Sequence, residues 1–119
     1  MLAEQIAELG ACELIDIGSH TVSHQSLGRI SPEQQSDELM QSKKALEEIT
    51  GQPVKSFSYP NGETSADSPR IASELGYTIG CTSREGVVSS SSNPYLLPRL
   101  WVGNWDGDRF AKWLRLWLR

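Results

Sequence analysis

Two histidines, His20 and His24, lie four residues apart, and the chain has no others. Imidazole nitrogens at this spacing can bind one divalent cation, and zinc is the expected metal on affinity grounds. If the segment forms one helical turn, both rings point the same way. Spacing alone is a weak signal, however, because pairs of surface histidines that bind nothing are the more frequent case.

A second candidate for chemistry is the sequence Phe-Ser-Tyr-Pro-Asn-Gly at 57–62, where a predicted strand ends in a turn. Backbone N–H groups at a tight turn can donate hydrogen bonds to the negative oxygen that develops during acyl transfer. This role requires the turn more than any particular side chain. Taken alone, such a segment is more often an ordinary Pro-Asn-Gly turn.

The elements that would position the histidines precede them in the chain. Apolar residues at helical spacing predict a helix over residues 2–9, capped by Gly10. The apolar run Glu13–Gly18 predicts a buried strand that ends just before His20.

Helices and strands alternate along the rest of the chain. Ser31, Pro32 and Gln34 form the capping pattern of a helix that runs to Gly51. The other predicted elements are a strand at Lys55–Tyr59, a helix from Ser68 to Leu75 ended by Gly76, strands at Tyr77–Cys81 and Leu96–Val102, the latter broken by Pro98, and a helix at Asp108–Leu118.

Strands that alternate with helices indicate an α/β protein with a parallel sheet or a barrel segment. Four such units are about half of a full (β/α) barrel, which normally needs about 250 residues. We therefore expect residues 1–119 to form one domain, a partial (β/α) barrel. Both candidate segments then lie at the carboxyl ends of strands, where barrel folds build their sites.

Composition narrows the range of partners and compartments. The formal net charge of -4 supplies no field that attracts a phosphate backbone, so nucleic acid is not an expected partner. The chain has neither an apolar run of about 18 residues nor the basic and apolar regions of a signal peptide at its start, so no membrane span is expected. Cys12 and Cys81 are expected to be free, buried thiols.

The stretch 17–24, Ile-Gly-Ser-His-Thr-Val-Ser-His, followed by Leu27, resembles the histidine motif of the polysaccharide deacetylase family, which includes chitin, peptidoglycan and nodulation-factor deacetylases. The resemblance implies that His20 and His24 bind the metal. It also implies the fold, roughly the C-terminal half of a deacetylase barrel.

Residues 57–62 resemble the family's next motif, Arg-x-Pro-aromatic-Gly, with Ser58 in place of Arg and Asn61 in place of the aromatic residue. By this resemblance Tyr59, Pro60 and Gly62 contact the substrate, and the Asn61 N–H helps bind the oxyanion.

The reaction that the resemblance implies is hydrolysis of N- or O-acetyl groups on a carbohydrate polymer. The family's aspartate motif, which supplies the base and a third metal ligand, does not precede the histidines, and no Leu-x-His follows them. We therefore expect a weak or inactive catalyst, the C-terminal part of a deacetylase whose N-terminal half is lost. A second copy or a complementing N-terminal half is a further partner, and the compartment stays open because family members are often exported.

Two alternatives remain at this point. One is a non-catalytic protein that binds metal or glycan. The other is a membrane-surface module, because the C-terminal helix gathers aromatic and leucine side chains on one face and basic side chains on another. A helix packing its aromatic face on the sheet explains the same pattern and is favoured. The residues concerned are Phe110, Trp113, Leu114 and Trp117 on the first face and Arg109, Lys112, Arg115 and Arg119 on the second.

Overall fold

A three-stranded sheet with helices around it makes up the computed structural model, which describes residues 1–117. In chain order the elements are helix α1 (Ala3–Gly10), a 3-10 turn (Leu27–Arg29), helix α2 (Pro32–Thr50), strand β1 (Ser56–Ser58), a second 3-10 turn (Pro60–Gly62), helix α3 (Ser68–Glu74), strands β2 (Ile79–Glu85) and β3 (Leu97–Arg99), and helix α4 (Gly107–Trp117).

The sheet is parallel throughout, in the order β1-β2-β3, which confirms the predicted α/β class. Phe57 lies opposite Gly80, and a Cβ on residue 80 would come within 2.7 Å of the Phe57 ring. Glycine at position 80 therefore lets the ring lie against the neighbouring strand. Helix α3 connects β1 to β2, whereas residues 86–96 between β2 and β3 form a loop, so no helix separates these two strands.

Helix α2 begins and ends where the sequence predicts. The Ser31 hydroxyl accepts a hydrogen bond from the Gln34 N–H, and the Gln34 side chain accepts one from the Ser31 N–H. Gly51 follows the helix with a left-handed φ of 66°, which glycine adopts without steric cost. Leu39 on the inner face of the helix is fully buried.

The hydrophobic core lies between the sheet and helices α2 and α3. Each buried Leu or Phe side chain contributes about 1.5–3 kcal/mol relative to exposure, so this cluster supplies much of the stability of a small domain. Its members are Leu27, Leu39, Val54, Phe57, Tyr59, Ile71, Ala72 and Tyr77.

The predicted strand at Glu13–Gly18 is wrong. Only the next residue, Ser19, pairs with the sheet, through a single parallel bridge to Phe57. Leu14 is 94% exposed and Ile15 is 39% exposed, because no described element covers this side of the chain. Gly10 is the last residue of α1 and not its cap, and a Cβ there would meet Thr50 at 2.9 Å.

Strand β2 begins two residues later than predicted, because Tyr77 turns into the core and its hydroxyl donates to the Leu39 carbonyl. The fourth predicted strand is shortened to β3, where Pro98 is the middle residue. Proline lacks the N–H that a central strand donates, so its place in the outermost strand of the described sheet agrees with its chemistry.

The prediction for the cysteines needs correction, and two predictions at the C-terminus lie outside the described residues. Both cysteines are free, but Cys12 is exposed and Cys81 is half-buried, so the prediction of buried thiols is wrong. The predicted helix end at Leu118, and Arg119 on its basic face, lie outside the described residues. No helix within residues 1–117 has the length and apolar character needed to cross a membrane.

Candidate functional site

The two histidine side chains lie next to each other at the carboxyl end of the sheet. Their ring centroids are 4.8 Å apart, and the rings meet edge to face at 72°. The segment is not a helical turn, because Thr21 and His24 have left-handed φ angles of 66° and 59°. The condition of a helical turn is therefore not met, and the two rings lie together in a loop that has two left-handed residues.

The ring of His20 is oriented by Ser58 at the end of β1. Its Nδ1 lies 2.8 Å from the Ser58 carbonyl oxygen and 2.8 Å from the Ser58 hydroxyl. A carbonyl oxygen only accepts hydrogen bonds, so the contact assigns the proton to Nδ1. In the neutral ring, the other nitrogen, Nε2, then carries the lone pair that can bind a metal.

The donor set fits part of a metal site. Both imidazoles are exposed, so a cation can reach them from solvent. Within residues 1–117, however, no cluster of three or more His, Cys, Asp or Glu side chains has the arrangement of a metal site. The described part of the chain thus offers two nitrogen ligands, and water or another group has to complete the coordination of a zinc ion.

The backbone between the histidines is bound by Glu38 of helix α2. The carboxylate accepts hydrogen bonds from the N–H groups of Val22 and Ser23, at 2.8 and 2.9 Å, and from the Ser23 hydroxyl at 2.6 Å. Burial alone would raise the pKa of Glu38, but these hydrogen bonds outweigh it and hold the pKa below its ordinary value. A charged Glu38 is therefore the form that binds the loop.

The second candidate segment forms a tight turn directly after β1. Asn61 and Gly62 both have left-handed φ angles, 57° and 71°, and a Cβ on residue 62 would lie 2.6 Å from Ser83. Gly62 donates its N–H to the Tyr59 carbonyl. The N–H of Asn61 has no hydrogen-bond partner within residues 1–117, and Asn61 is exposed.

The side chains of Tyr59 and Pro60, two of the predicted substrate contacts, are buried in this structure. Tyr59 is 1% exposed, its hydroxyl donates to the Tyr95 carbonyl, and burial raises its pKa. Apolar packing against Phe57 draws this ring into the core, at 4.6 Å between centroids. Next to them in the turn, Asn61 is exposed and Gly62 is half-buried.

An ion pair joins the histidine segment to the turn. Arg29, in the 3-10 turn after the histidines, donates to both carboxylate oxygens of Glu63 at 2.8 Å, and the Ser26 hydroxyl donates to the same carboxylate. The hydrogen bonds from Arg29 and then Ser26 lower the pKa of Glu63. The two candidate segments are thus tied together by side chains as well as by the sheet.

The sequence did not predict the roles of Glu38 and Glu63 or the contact of Ser58 with His20. For Glu38 a signal exists, because polar residues occupy the inner face of α2 at helical spacing. Gln35 and Ser42 on that face are buried and hydrogen-bonded, Gln35 to Ser65 and Ser68, and Ser42 to Ser19. A polar residue between them on a buried face needs a partner, and for Glu38 that partner is the histidine loop.

A cavity of about 560 Å³ lies at the other end of the strands. Its lining includes the first residues of β1 and β2 together with Cys12, Asp16 and Lys55. None of the candidate site residues borders it. This cavity is therefore separate from the histidines, and the chemistry of the side chains is what points to their end of the sheet.

Solved structures define the class of fold. The chain is similar to the Streptococcus pyogenes deacetylase PplD in complex with acetate, with a TM-score of 0.74 and 29% identity over 80% of this chain and 42% of that one. It is also similar to BC0361, a polysaccharide deacetylase from Bacillus cereus, with a TM-score of 0.81 and 23% identity over 94% of this chain and 36% of that one. The fold is thus part of the (β/α) fold of deacetylases.

Sequence similarity defines the family. The family model for polysaccharide deacetylases matches residues 3–80, and the chain is 32% identical over 112 residues to Bacillus subtilis YxkH, whose name places it among polysaccharide deacetylases. The chain belongs to the polysaccharide deacetylase family. It aligns with about 40% of the length of YxkH, while 93% of this chain is covered.

Proposed function

We propose that this chain carries the metal-binding part of a hydrolase that removes N- or O-acetyl groups from carbohydrate polymers. His20 and His24 are the proposed ligands of one divalent cation, with zinc expected. The observation that carries the proposal is the pair of adjacent, exposed imidazoles, one of which has its Nδ1 engaged by Ser58. The names of the relatives support a polysaccharide as the substrate class.

A bound divalent cation would polarise an acetyl carbonyl and lower the pKa of a water beside it. The chain's own residues then have distinct tasks. His20 keeps its Nε2 available because Nδ1 donates to Ser58. The unpartnered N–H of Asn61 is the proposed donor to the oxyanion, and Gly62 keeps the turn tight enough for a sugar to approach the backbone.

We propose no residue of the described chain as the general base. Such a base contributes typically about 10² to 10⁴ in rate. We therefore propose that residues 1–119, taken as one partial domain, have weak activity alone. A carboxylate supplied by a second copy or by a complementing N-terminal half would restore the rate.

Zinc binding tests the proposal most directly. We expect the wild-type chain to bind one zinc ion in a competition titration with a chromophoric chelator. His20→Ala and His24→Ala should each weaken binding at least about tenfold, since each removes a direct ligand. Gln41→Ala is the matched control, because Gln41 is exposed on α2 and its side chain makes no described hydrogen bond to the loop. Equal zinc affinity in the wild type and both histidine variants would overturn the assignment.

Acetate release from an acetylated chitin oligomer separates catalysis from binding alone. Zinc binding without any release, even at high protein concentration, would favour the non-catalytic alternative, a protein that binds metal or glycan. Zinc-dependent release that His24→Ala abolishes would favour the hydrolase.

A second candidate function rests on helix α4. None of its described residues is buried, and its apolar side chains include Phe110 at 37% and Trp117 at 36% exposure. Arg109, Lys112 and Arg115 add positive charge, so the helix has the composition of one that lies on an anionic membrane surface. Sedimentation with anionic liposomes, compared between wild type and Trp113→Ala, tests this candidate, and no sedimentation of the wild type removes it.

A further inference from the structure

The loop that carries the two histidines has a conformation that its own residues disfavour. Thr21 and His24 are both left-handed, and a β-branched residue such as Thr21 is rarely found in that region. Within the loop, the His24 N–H donates to the Thr21 hydroxyl at 3.1 Å. One internal hydrogen bond is little support for two unfavourable residues, so contacts from outside the loop have to hold it.

The principal outside contact is Glu38. Its two carboxylate oxygens accept three hydrogen bonds from Val22 and Ser23, which lie between the histidines in sequence. Hydrogen bonds to a charged acceptor are about twice as strong as neutral ones. Within residues 1–117 no salt bridge competes for the Glu38 carboxylate, so its acceptor capacity is directed to the loop.

Glu38 has a fixed position because buried contacts hold helix α2 in place. The helix is capped at Ser31, and its inner face is fixed by Leu39 in the core and by Gln35 bonded to Ser65 and Ser68. The neighbours of Glu38 on that face therefore cannot shift without breaking buried contacts. Because the helix is held by its own contacts, the position of the Glu38 carboxylate determines the position of the loop.

We propose that Glu38 is the positioning residue of the histidine pair: by holding the Val22–Ser23 backbone, it keeps the rings of His20 and His24 directed at one point. The consequence for metal binding rests on the proposed function, whereas the effect on the loop does not. Glu38 touches neither imidazole in the described hydrogen bonds, so it acts through the backbone between them.

The test compares the variant Glu38→Gln with the control variant Glu48→Gln. Glu48 is an exposed residue of the same helix, and its side chain makes no described hydrogen bond. Glutamine keeps the size of glutamate but offers one oxygen and one NH2 group to donors that need two oxygens. In the metal-free chain, the amides of Val22 and Ser23 should exchange hydrogen at least about tenfold faster in Glu38→Gln, because they lose a charged acceptor. The control should match the wild type.

The second measurement is zinc affinity. Loss of a residue that orients metal ligands typically weakens metal binding about 10- to 100-fold, and we expect that loss in Glu38→Gln and none in Glu48→Gln. Unchanged exchange at residues 22 and 23, or unchanged zinc affinity in a chain that binds zinc, overturns the proposal. If the wild type binds no zinc, the metal site fails, and exchange in the metal-free chain alone decides the role of Glu38.

Ser23→Ala keeps the test decisive if Glu38→Gln does not fold. It removes the 2.6 Å hydrogen bond from the loop side and leaves the carboxylate on the helix. We expect faster exchange at the backbone amide of residue 23 and a zinc affinity several-fold weaker than that of the wild type. The effect is smaller than in Glu38→Gln, because two of the three hydrogen bonds remain. No change in either measurement would reject the positioning role.

Discussion

The segment from Ser19 to Glu63 and the segment from Trp101 to Trp117 are ordered by different means. In the first, the histidine loop and the turn are bonded to Glu38, Ser58 and Arg29 and lie over the core. In the second, aromatic rings pack mainly on one another. Trp105 meets Trp101 and Trp113 edge to face, at 6.0 and 5.4 Å between centroids, and helix α4 buries no described residue.

The difference shows where this chain obtains its stability. Within residues 1–117, the buried core cluster lies between Leu27 and Tyr77, inside the part that the family model matches. Aromatic pairs add about 0.5–1.5 kcal/mol beyond the area they bury, but a ring with one face in water forgoes much of the burial term. The candidate site is therefore built on the stable part of the molecule, and the C-terminal segment contributes little to holding it.

The largest expected difference between the two segments is in the free energy of unfolding lost by Phe57→Ala and by Trp113→Ala. Phe57 is 2% exposed and touches the rings of Tyr59 and Tyr77, so its truncation should cost about 3–5 kcal/mol of the free energy of unfolding. Trp113 is half-buried, and its truncation should cost less than about 1.5 kcal/mol. Urea unfolding measures both. Equal losses would show that α4 belongs to the stable part of the molecule.

Alanine substitutions at two glycines test how tightly the turn after β1 is packed. Gly51 and Gly62 have similar left-handed φ angles, but a Cβ has open space at residue 51 and meets Ser83 at 2.6 Å at residue 62. Gly51→Ala should cost about 1–2 kcal/mol from backbone conformation alone. Gly62→Ala should cost about 1–3 kcal/mol more, because Ser83 has to move. Thermal melting compares them, and equal shifts would contradict the tight packing of the turn.

A smaller effect is expected at the start of α2, the helix that carries Glu38. Ser31→Ala removes the hydroxyl that accepts from the Gln34 N–H and should cost about 1 kcal/mol of stability. Ser90→Ala, in an exposed loop, is the control and should change stability by less than about 0.5 kcal/mol. A loss at Ser31 no greater than at Ser90 would mean that the cap does not matter in solution.

The smallest expected effect is the pH dependence contributed by Glu63. Its pKa lies below the ordinary value of 4.5, because Arg29 and then Ser26 donate to the carboxylate. A carboxyl with a lowered folded pKa stabilises the protein above the unfolded pKa, and this contribution is lost as the pH falls through the folded pKa. Stability should therefore drop on acidification below about 4.5, and Glu63→Gln should reduce that drop. Because the pair is exposed, added salt should weaken the difference.

Some features follow from the sequence alone because their causes are local. The limits of α2 depend on Ser31, Gln34 and Gly51, residues whose side chains or backbone act within one helical turn. Alternating helices and strands predict the parallel α/β class in the same way, and the residues at 17–24 and 57–62 identify the family. Spacing also singles out His20 and His24, whose role as ligands stays a proposal.

Other features were decided only by the tertiary structure. The conformation of the histidine loop depends on Glu38 and Ser58, which are 15 to 38 residues away from the groups they bind. Tyr59 is buried in the core, where its ring packs on Phe57 and its hydroxyl donates to the carbonyl of Tyr95, 36 residues further along the chain. Residues 13–18 stay unpaired because no described strand lies on their far side. A local pattern states what a segment prefers, whereas burial and hydrogen bonding depend on which distant segments reach it.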